Sequence, residues 1–237
     1  MFSSFNIYNL RARISVAIIL LAPCLLEFYL IFPEINNLAT TTIVILTIFA
    51  LCNVIIIYSR IPGVNAMKKC FPQMLPAQEF LLPSNTYLDS LTKQRYYKFF
   101  SEKLDSFSVS ESDKEMLPMV ATAVTWLIAQ TRDEKKFPLI NEENINFGFS
   151  YNLLGLKKCG IFLTLIGLAV NIIFYVLQMN FHLDLGVKLN ALIASTIINF
   201  LFLLLWIVIV SKKLVKNCAK KYARALLSAC DSPHLNS

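Results

Sequence analysis

Glu27, Asn53, Asn171 and Asn199 are the strongly polar residues within four otherwise apolar stretches of this 237-residue chain. A carboxylate or carboxamide in apolar surroundings turns towards another helix, or towards water along a path for ions or protons. Gly160, Thr164, Gly167, Asn171 and Gln178 follow one another at steps of four, three, four and seven, which puts them on one helix face. Ala191, Ser195 and Asn199 repeat at four on the next apolar stretch. Two kinds of chemistry fit these faces. One is a packed seam, with small residues letting backbones approach and asparagines bonding across helices; the other is the lining of an oligomeric pore. Glu27 lies five residues from the outer end of its stretch, one turn after Pro23, which frees a backbone carbonyl. It reads as a partly hydrated carboxylate near the headgroups or as a member of a proton or cation relay.

A second polar set is the run from Thr131 to Phe149. Arg132, Lys135 and Lys136 are suited to an anionic ligand, and Glu142, Glu143 and Asn144 to a base or a protein partner. The competing reading is an ordinary solvated helix end and loop. Glu142 and Glu143 are adjacent in the chain and so poorly placed as an opposed acid and base pair.

Catalytic material is scarce. The histidines are His182 and His234, and the six cysteines contain no C-x-x-C spacing. A zinc site, a disulfide framework and a Ser-His-Asp triad are therefore not indicated, nor is a Gly-rich phosphate loop with only six glycines. No catalytic residue, metal or cofactor is expected.

The elements that must position these residues are long and apolar. Ile14 to Phe32, Ala39 to Tyr58, Gly160 to Leu177 and Leu189 to Val210 each approach the ~20 residues needed to cross a bilayer. Among them they carry no Lys, Arg, Asp or His, and only one Glu. The chain is 56% hydrophobic and 16% charged, which fits an integral membrane protein better than a soluble one. Leu21-Ala22-Pro23-Cys24 has the outline of a lipoprotein cleavage box, but Pro23 sits where a small residue is needed and the apolar run continues to Phe32. The first span is expected to remain as an anchor.

Arg11, Arg13, Arg60, Lys157, Lys158, Lys212, Lys213 and Lys216 flank the spans on one side, whereas Lys188 is the one base in the short loops Pro33 to Leu38 and Gln178 to Lys188. Retention of Lys and Arg in the cytoplasm then puts both termini and the middle segment inside. The expected fold is an all-α membrane protein of the bacterial inner membrane. Residues 1-60 and 159-211 form two transmembrane helical hairpins, 61-158 a small helical cytoplasmic domain, and 212-237 a basic amphipathic tail.

Between Arg60 and Lys158 there are 13 basic and 11 acidic residues, a balance suited to a solvated domain. Pro62, Pro72, Pro76 and Pro83 predict an irregular start. Leu91 to Leu104 reads as a helix with Tyr97, Phe100 and Leu104 on one face and Tyr96 and Phe99 beside them. A second helix starts in capping-box fashion at Ser110 or Ser112 and runs to about Gln130, with Met116, Val120, Ala123 or Val124, and Leu127 facing the first. In the tail, Lys213 to Cys230 is amphipathic. Lys212, Lys213, Lys216 and Lys220 are placed for lipid headgroups, while the apolar side fits either lipid or the cytoplasmic domain. Nucleic acid is not an expected partner.

Tyr8-Asn9-Leu10 and Tyr151-Asn152-Leu153 each precede two bases, a span, a short loop and a span, ending at Ser59-Arg60 and Ser211-Lys212. Shared membrane-edge chemistry accounts for this about as well as duplication; a duplication would be parallel, not inverted.

Trp126-Leu127, Thr131-Arg132-Asp133, Phe137, Glu143-Asn144, Phe147-Gly148-Phe149 and Asn152-Leu153-Leu154-Gly155-Leu156-Lys157, with Tyr222-Ala223-Arg224-Ala225-Leu226-Leu227 in the tail, resemble a family of small, largely uncharacterised bacterial four-helix transmembrane proteins. The resemblance covers the chain from Trp126 onward, and the layout is similar to membrane effectors of anti-phage defence operons. The likeness implies no catalytic residue. The polar stripes, the polar run abutting the third span and the scarcity of catalytic material point to a non-enzymatic membrane effector or sensor, whose cytoplasmic domain takes a cytosolic protein or nucleotide-type signal and controls an oligomeric bundle and membrane permeability. A membrane scaffold recruiting a cytosolic partner, and a small transporter subunit, are the alternatives.

Overall fold

The computed structural model describes Tyr8 and residues 10–32, 38–182 and 186–236. Residues 33–37, most of the first expected outer loop, lie outside the described residues, as do 183–185 of the second. Every described element is a helix or a helical turn. A π-helical turn, Leu10–Ile14, leads into α1, Ser15–Ile31. There follow α2 (Leu38–Cys70), α3 (Pro76–Glu79), α4 (Ser90–Lys103) and α5 (Asp113–Gln130). The long α6 (Pro138–Asn180) precedes α7 (Leu189–Leu204), which continues through a π-helical turn, Leu205–Ile209. Last come α8 (Lys212–Leu227), a 3-10 turn Ser228–Asp231 and α9 (Pro233–Asn236).

Among the described residues, three helices are long and apolar enough to cross a membrane: Arg11–Ile31, a stretch of Pro138–Asn180, and Leu189–Ile209. The remaining expected span, Ala39 to Tyr58, lies in α2, where many side chains before residue 53 are outside the described residues.

Two expectations about element ends are corrected. The chain is not irregular from Arg60: α2 runs for 33 residues through Pro62 to Cys70. A proline inside a helix normally costs about 3 kcal/mol, and close packing of the Pro62–Gly63 backbone against Gly155 opposes that cost. The run Pro138 to Phe149 is likewise no loop but the first three turns of α6, a helix of 43 residues with proline at its start, where the missing N–H is not needed.

The chain divides into two compact units, Met1–Lys68 with Gly148–Leu214, and Lys69–Phe147 with Val215–Ser237. The divisions fall inside α2, α6 and α8. In the first unit the usual burial is inverted. Ile18, Phe28, Ile57, Phe162, Ile172, Ile197, Phe200 and Val208 are exposed, while Glu27, Thr164, Asn171, Ser195 and Asn199 are buried. Its apolar interior is small: Val16, Leu20, Leu153, Leu156, Trp206 and Val210. The Lys157 ammonium donates to the carbonyls of Ile207 at 3.0 Å and Val210 at 2.7 Å, capping the end of the π-helical turn where helix carbonyls lack N–H partners. The two Tyr-Asn-Leu triplets meet: the hydroxyls of Tyr8 and Tyr151 are 3.2 Å apart, and the Asn152 amide donates to the Ala12 carbonyl at 3.0 Å.

The second unit has a conventional core in which α4 presents Tyr96, Tyr97, Phe99 and Phe100 to Met116, Val120, Ala123, Val124 and Leu127 of α5. Asp89 caps α4 by accepting from the Thr92 amide at 2.8 Å. Ser112 precedes α5 but makes no side-chain cap; Ser110 instead bonds Glu115 at 2.6 Å, and Asp113 accepts from the Ser84 amide at 3.0 Å. The Ser84 hydroxyl donates to Asp113 as well, and the two bonds hold the Asp113 carboxyl below its usual range. The apolar side of α8 is spent on this core through Ala223, Leu226 and Leu227, which leaves Lys212, Lys213, Lys216 and Lys220 exposed.

Candidate functional site

Three helices of the first unit bring polar groups into one hydrogen-bonded chain. Glu27 comes from α1, Asn171 and the bare backbone of Gly167 from α6, and Ser195 and Asn199 from α7. The Asn199 amide donates to Glu27 Oε2 at 3.1 Å and to the Ser195 carbonyl at 3.1 Å. The Asn171 amide donates to the Ser195 hydroxyl at 3.0 Å. Asn199 and Ser195 are 0% exposed, Asn171 2% and Glu27 8%. Three oxygens of this cluster, Glu27 Oε1, Asn171 Oδ1 and Asn199 Oδ1, have no donor among the described residues.

Gly167 makes the convergence sterically feasible. A Cβ there would lie 2.5 Å from both Asn199 Oδ1 and Glu27 Oε2. Three residues earlier, Thr164 bonds back to the carbonyls of Gly160 and Ile161 at 3.0 and 2.9 Å, so its hydroxyl is satisfied within its own helix. At Gly160 a Cβ would lie 2.1 Å from the indole of Trp206, itself wholly buried. The whole stripe Gly160, Thr164, Gly167, Asn171 therefore faces helices of the same chain. Asn53, on α2, is exposed.

Glu27 is covered by helices of its own unit. Its spacing from the end of the apolar run gives depth along the helix but not which neighbour its face meets, and that neighbour is Asn199, 172 positions away in the chain. The pairing was accessible only as two polar residues that each needed a partner.

The six residues of the other polar set do not close into one site. Asp133 accepts from the backbone amides of Lys135 and Lys136 at 3.0 and 3.3 Å, forming a turn that leaves Arg132, Lys135 and Lys136 exposed. Glu142 is exposed, and Glu143 and Asn144 are half-buried on the first turns of α6. None of the six lines either of two cavities in this unit. One cavity, of about 420 Å³, is bounded by Phe71, Gln73, Met74, Leu82, Lys216 and Lys220, large enough for a small ligand. Its two lysines supply positive charge, Glu79 a carboxylate that offsets part of it, and Gln73 a neutral hydrogen-bonding group.

Sequence reasoning passed over Lys93. It is 8% exposed, and its ammonium donates to the carbonyls of Leu82 at 2.8 Å, Pro83 at 3.4 Å and Asn85. Burial pulls it below the usual lysine range, with Asp113 opposing. It fixes the turn after α3, where the second cavity opens. Polar residues at helical spacing next to aromatics carried no sign of this, because the acceptors are backbone carbonyls.

No family model, curated protein or solved structure matches this chain.

Proposed function

We propose that the chain is a four-span, non-enzymatic protein of the bacterial inner membrane, with both termini and the second unit in the cytoplasm. It acts as an effector or sensor: the second unit takes a cytosolic protein or nucleotide-type signal, and an oligomer of the first unit alters membrane permeability in response. The observation that carries this reading is the inverted burial of the first unit, apolar outside and polar at the seam of α1, α6 and α7. Water has no reason to favour that arrangement; hydrocarbon does, because lipid tails solvate the outer side chains and leave polar groups to find one another. The flanking bases support the orientation. The cavity in which Lys216 and Lys220 outnumber the one carboxylate, Glu79, supports an anionic signal, and the likeness in layout to anti-phage effectors supports the response.

The test is induced expression in bacteria while membrane potential and dye exclusion are recorded. Wild type should depolarise the cells when the trigger is present, and Lys216→Glu with Lys220→Glu should make the response fail with the protein still in the membrane. Intact potential under all conditions, together with no ion flux from proteoliposomes, would remove the permeability claim.

A further inference from the structure

We infer that the cluster of Glu27, Asn171 and Asn199 is a binding site for one monovalent cation, at which an alkali cation and a proton compete. The inference rests on the membrane reading of the first unit but not on conduction. Its basis is a set of oxygens that the fold buries without giving them donors. Glu27 Oε2 already accepts from Asn199, yet Glu27 Oε1, Asn199 Oδ1 and Asn171 Oδ1 do not accept from any described residue. All three residues are more than nine-tenths buried, and all three are joined through one hydrogen-bonded chain that passes over Ser195. The amide nitrogens are turned to protein acceptors, so the amide oxygens are the atoms left over. Gly167 keeps the space beside Glu27 Oε2 and Asn199 Oδ1 free of a side chain.

The chemistry selects the ligand. The leftover donors to a cation are oxygens only, a hard set that suits alkali and alkaline-earth ions and not zinc or copper. One carboxylate gives one negative charge. A divalent ion would leave a net positive charge among apolar helices, whereas a monovalent ion or a proton closes the balance. Within the apolar stretches of the described helices, Glu27 is the one residue with a formal charge. On α1 the neighbouring titratable group is the Cys24 thiol, and Tyr29 is exposed. On the apolar part of α6 it is Tyr175, also exposed, and α7 has none. The apolar half of α2 contains only Cys52 and Tyr58. No lysine, arginine or histidine occurs in these stretches.

The experiment uses the full chain in membrane vesicles and a hydrophobic carbodiimide, which adds to a protonated carboxyl and not to an ion-paired carboxylate. Label at Glu27 is read by peptide mass spectrometry, with sodium, lithium or potassium chloride compared against choline chloride at equal ionic strength. At least one alkali cation should slow labelling several-fold. Its potency should rise with pH, up to about tenfold per unit, because the proton competes for the same oxygen. In detergent, the same cation should raise the melting temperature of wild type and leave that of Glu27→Gln unchanged. Labelling and melting that are indifferent to the identity of the cation would overturn the inference. Flux without cation-sensitive labelling would remove this site and keep the permeability claim; cation-sensitive labelling without flux would do the reverse.

Discussion

Gly155→Ala is expected to unfold the bundle or prevent its assembly, at a cost of about 3 kcal/mol or more, the upper end of overpacking effects. The added Cβ would stand 2.4 Å from the Gly63 nitrogen, 2.5 Å from the Pro62 carbonyl carbon and 2.7 Å from the Gly63 Cα. These are backbone atoms of α2, so no rotamer change relieves the overlap, and the two helices must separate along the crossing. Gly167→Ala meets only the ends of the Asn199 and Glu27 side chains, which can swing away, and should cost less. Gly186→Ala meets nothing and suffers only the strain of φ +67°, worth about 1–2 kcal/mol. The order of loss in detergent melting, read by size-exclusion chromatography of the heated protein, should therefore be Gly155, then Gly167, then Gly186. A Gly155→Ala protein as stable as wild type would mean that α2 and α6 do not cross there.

Asn199→Leu should be the most damaging single change within the polar cluster. It removes the one donor to Glu27 Oε2 and leaves a buried carboxyl with no partner among the described residues. Loss of a hydrogen bond to a charged group is worth about 1.5–3 kcal/mol, and the larger part is the cost of the group left behind. Glu27→Met in the same background removes that orphan, so the double variant should recover most of the stability. A cycle of the two singles and the double would then give a coupling of at least about 1 kcal/mol. Strictly additive losses would show that Glu27 and Asn199 do not meet. Asn171→Leu should be milder, since its amide bonds the neutral Ser195 hydroxyl and such bonds between apolar helices average about 0.6 kcal/mol.

Much of this fold was legible in the sequence where the signal was periodic. The aromatic face of α4 and the Met116 to Leu127 face of α5 followed from spacing alone, as did the amphipathic character of α8. The small-polar stripe on α6 was legible as a face, but its partner was not. Periodicity says which side of a helix is special and is silent about what it meets, so the seam and pore readings could not be separated from the chain itself. Proline was the misleading signal. Pro62 read as part of an irregular start, yet it sits inside α2 at a close helix crossing, tolerated for local backbone reasons. Lys93 and Lys157 were not singled out as anchors because backbone carbonyls, which every sequence has, are what they bind. The cavity at Lys216 and Lys220 joins segments about 140 positions apart in the sequence, a juxtaposition that only folding creates.

Membrane topology tests the four-span reading most directly, because α2 is the helix on which it turns. Reporter fusions after Leu38 and Gly186 should read outside, and those after Met67, Lys136 and Lys221 inside. If only the other three apolar helices cross, the pattern inverts beyond Leu38: Met67, Lys136 and Lys221 would read outside and Gly186 inside. That inverted pattern would contradict the account.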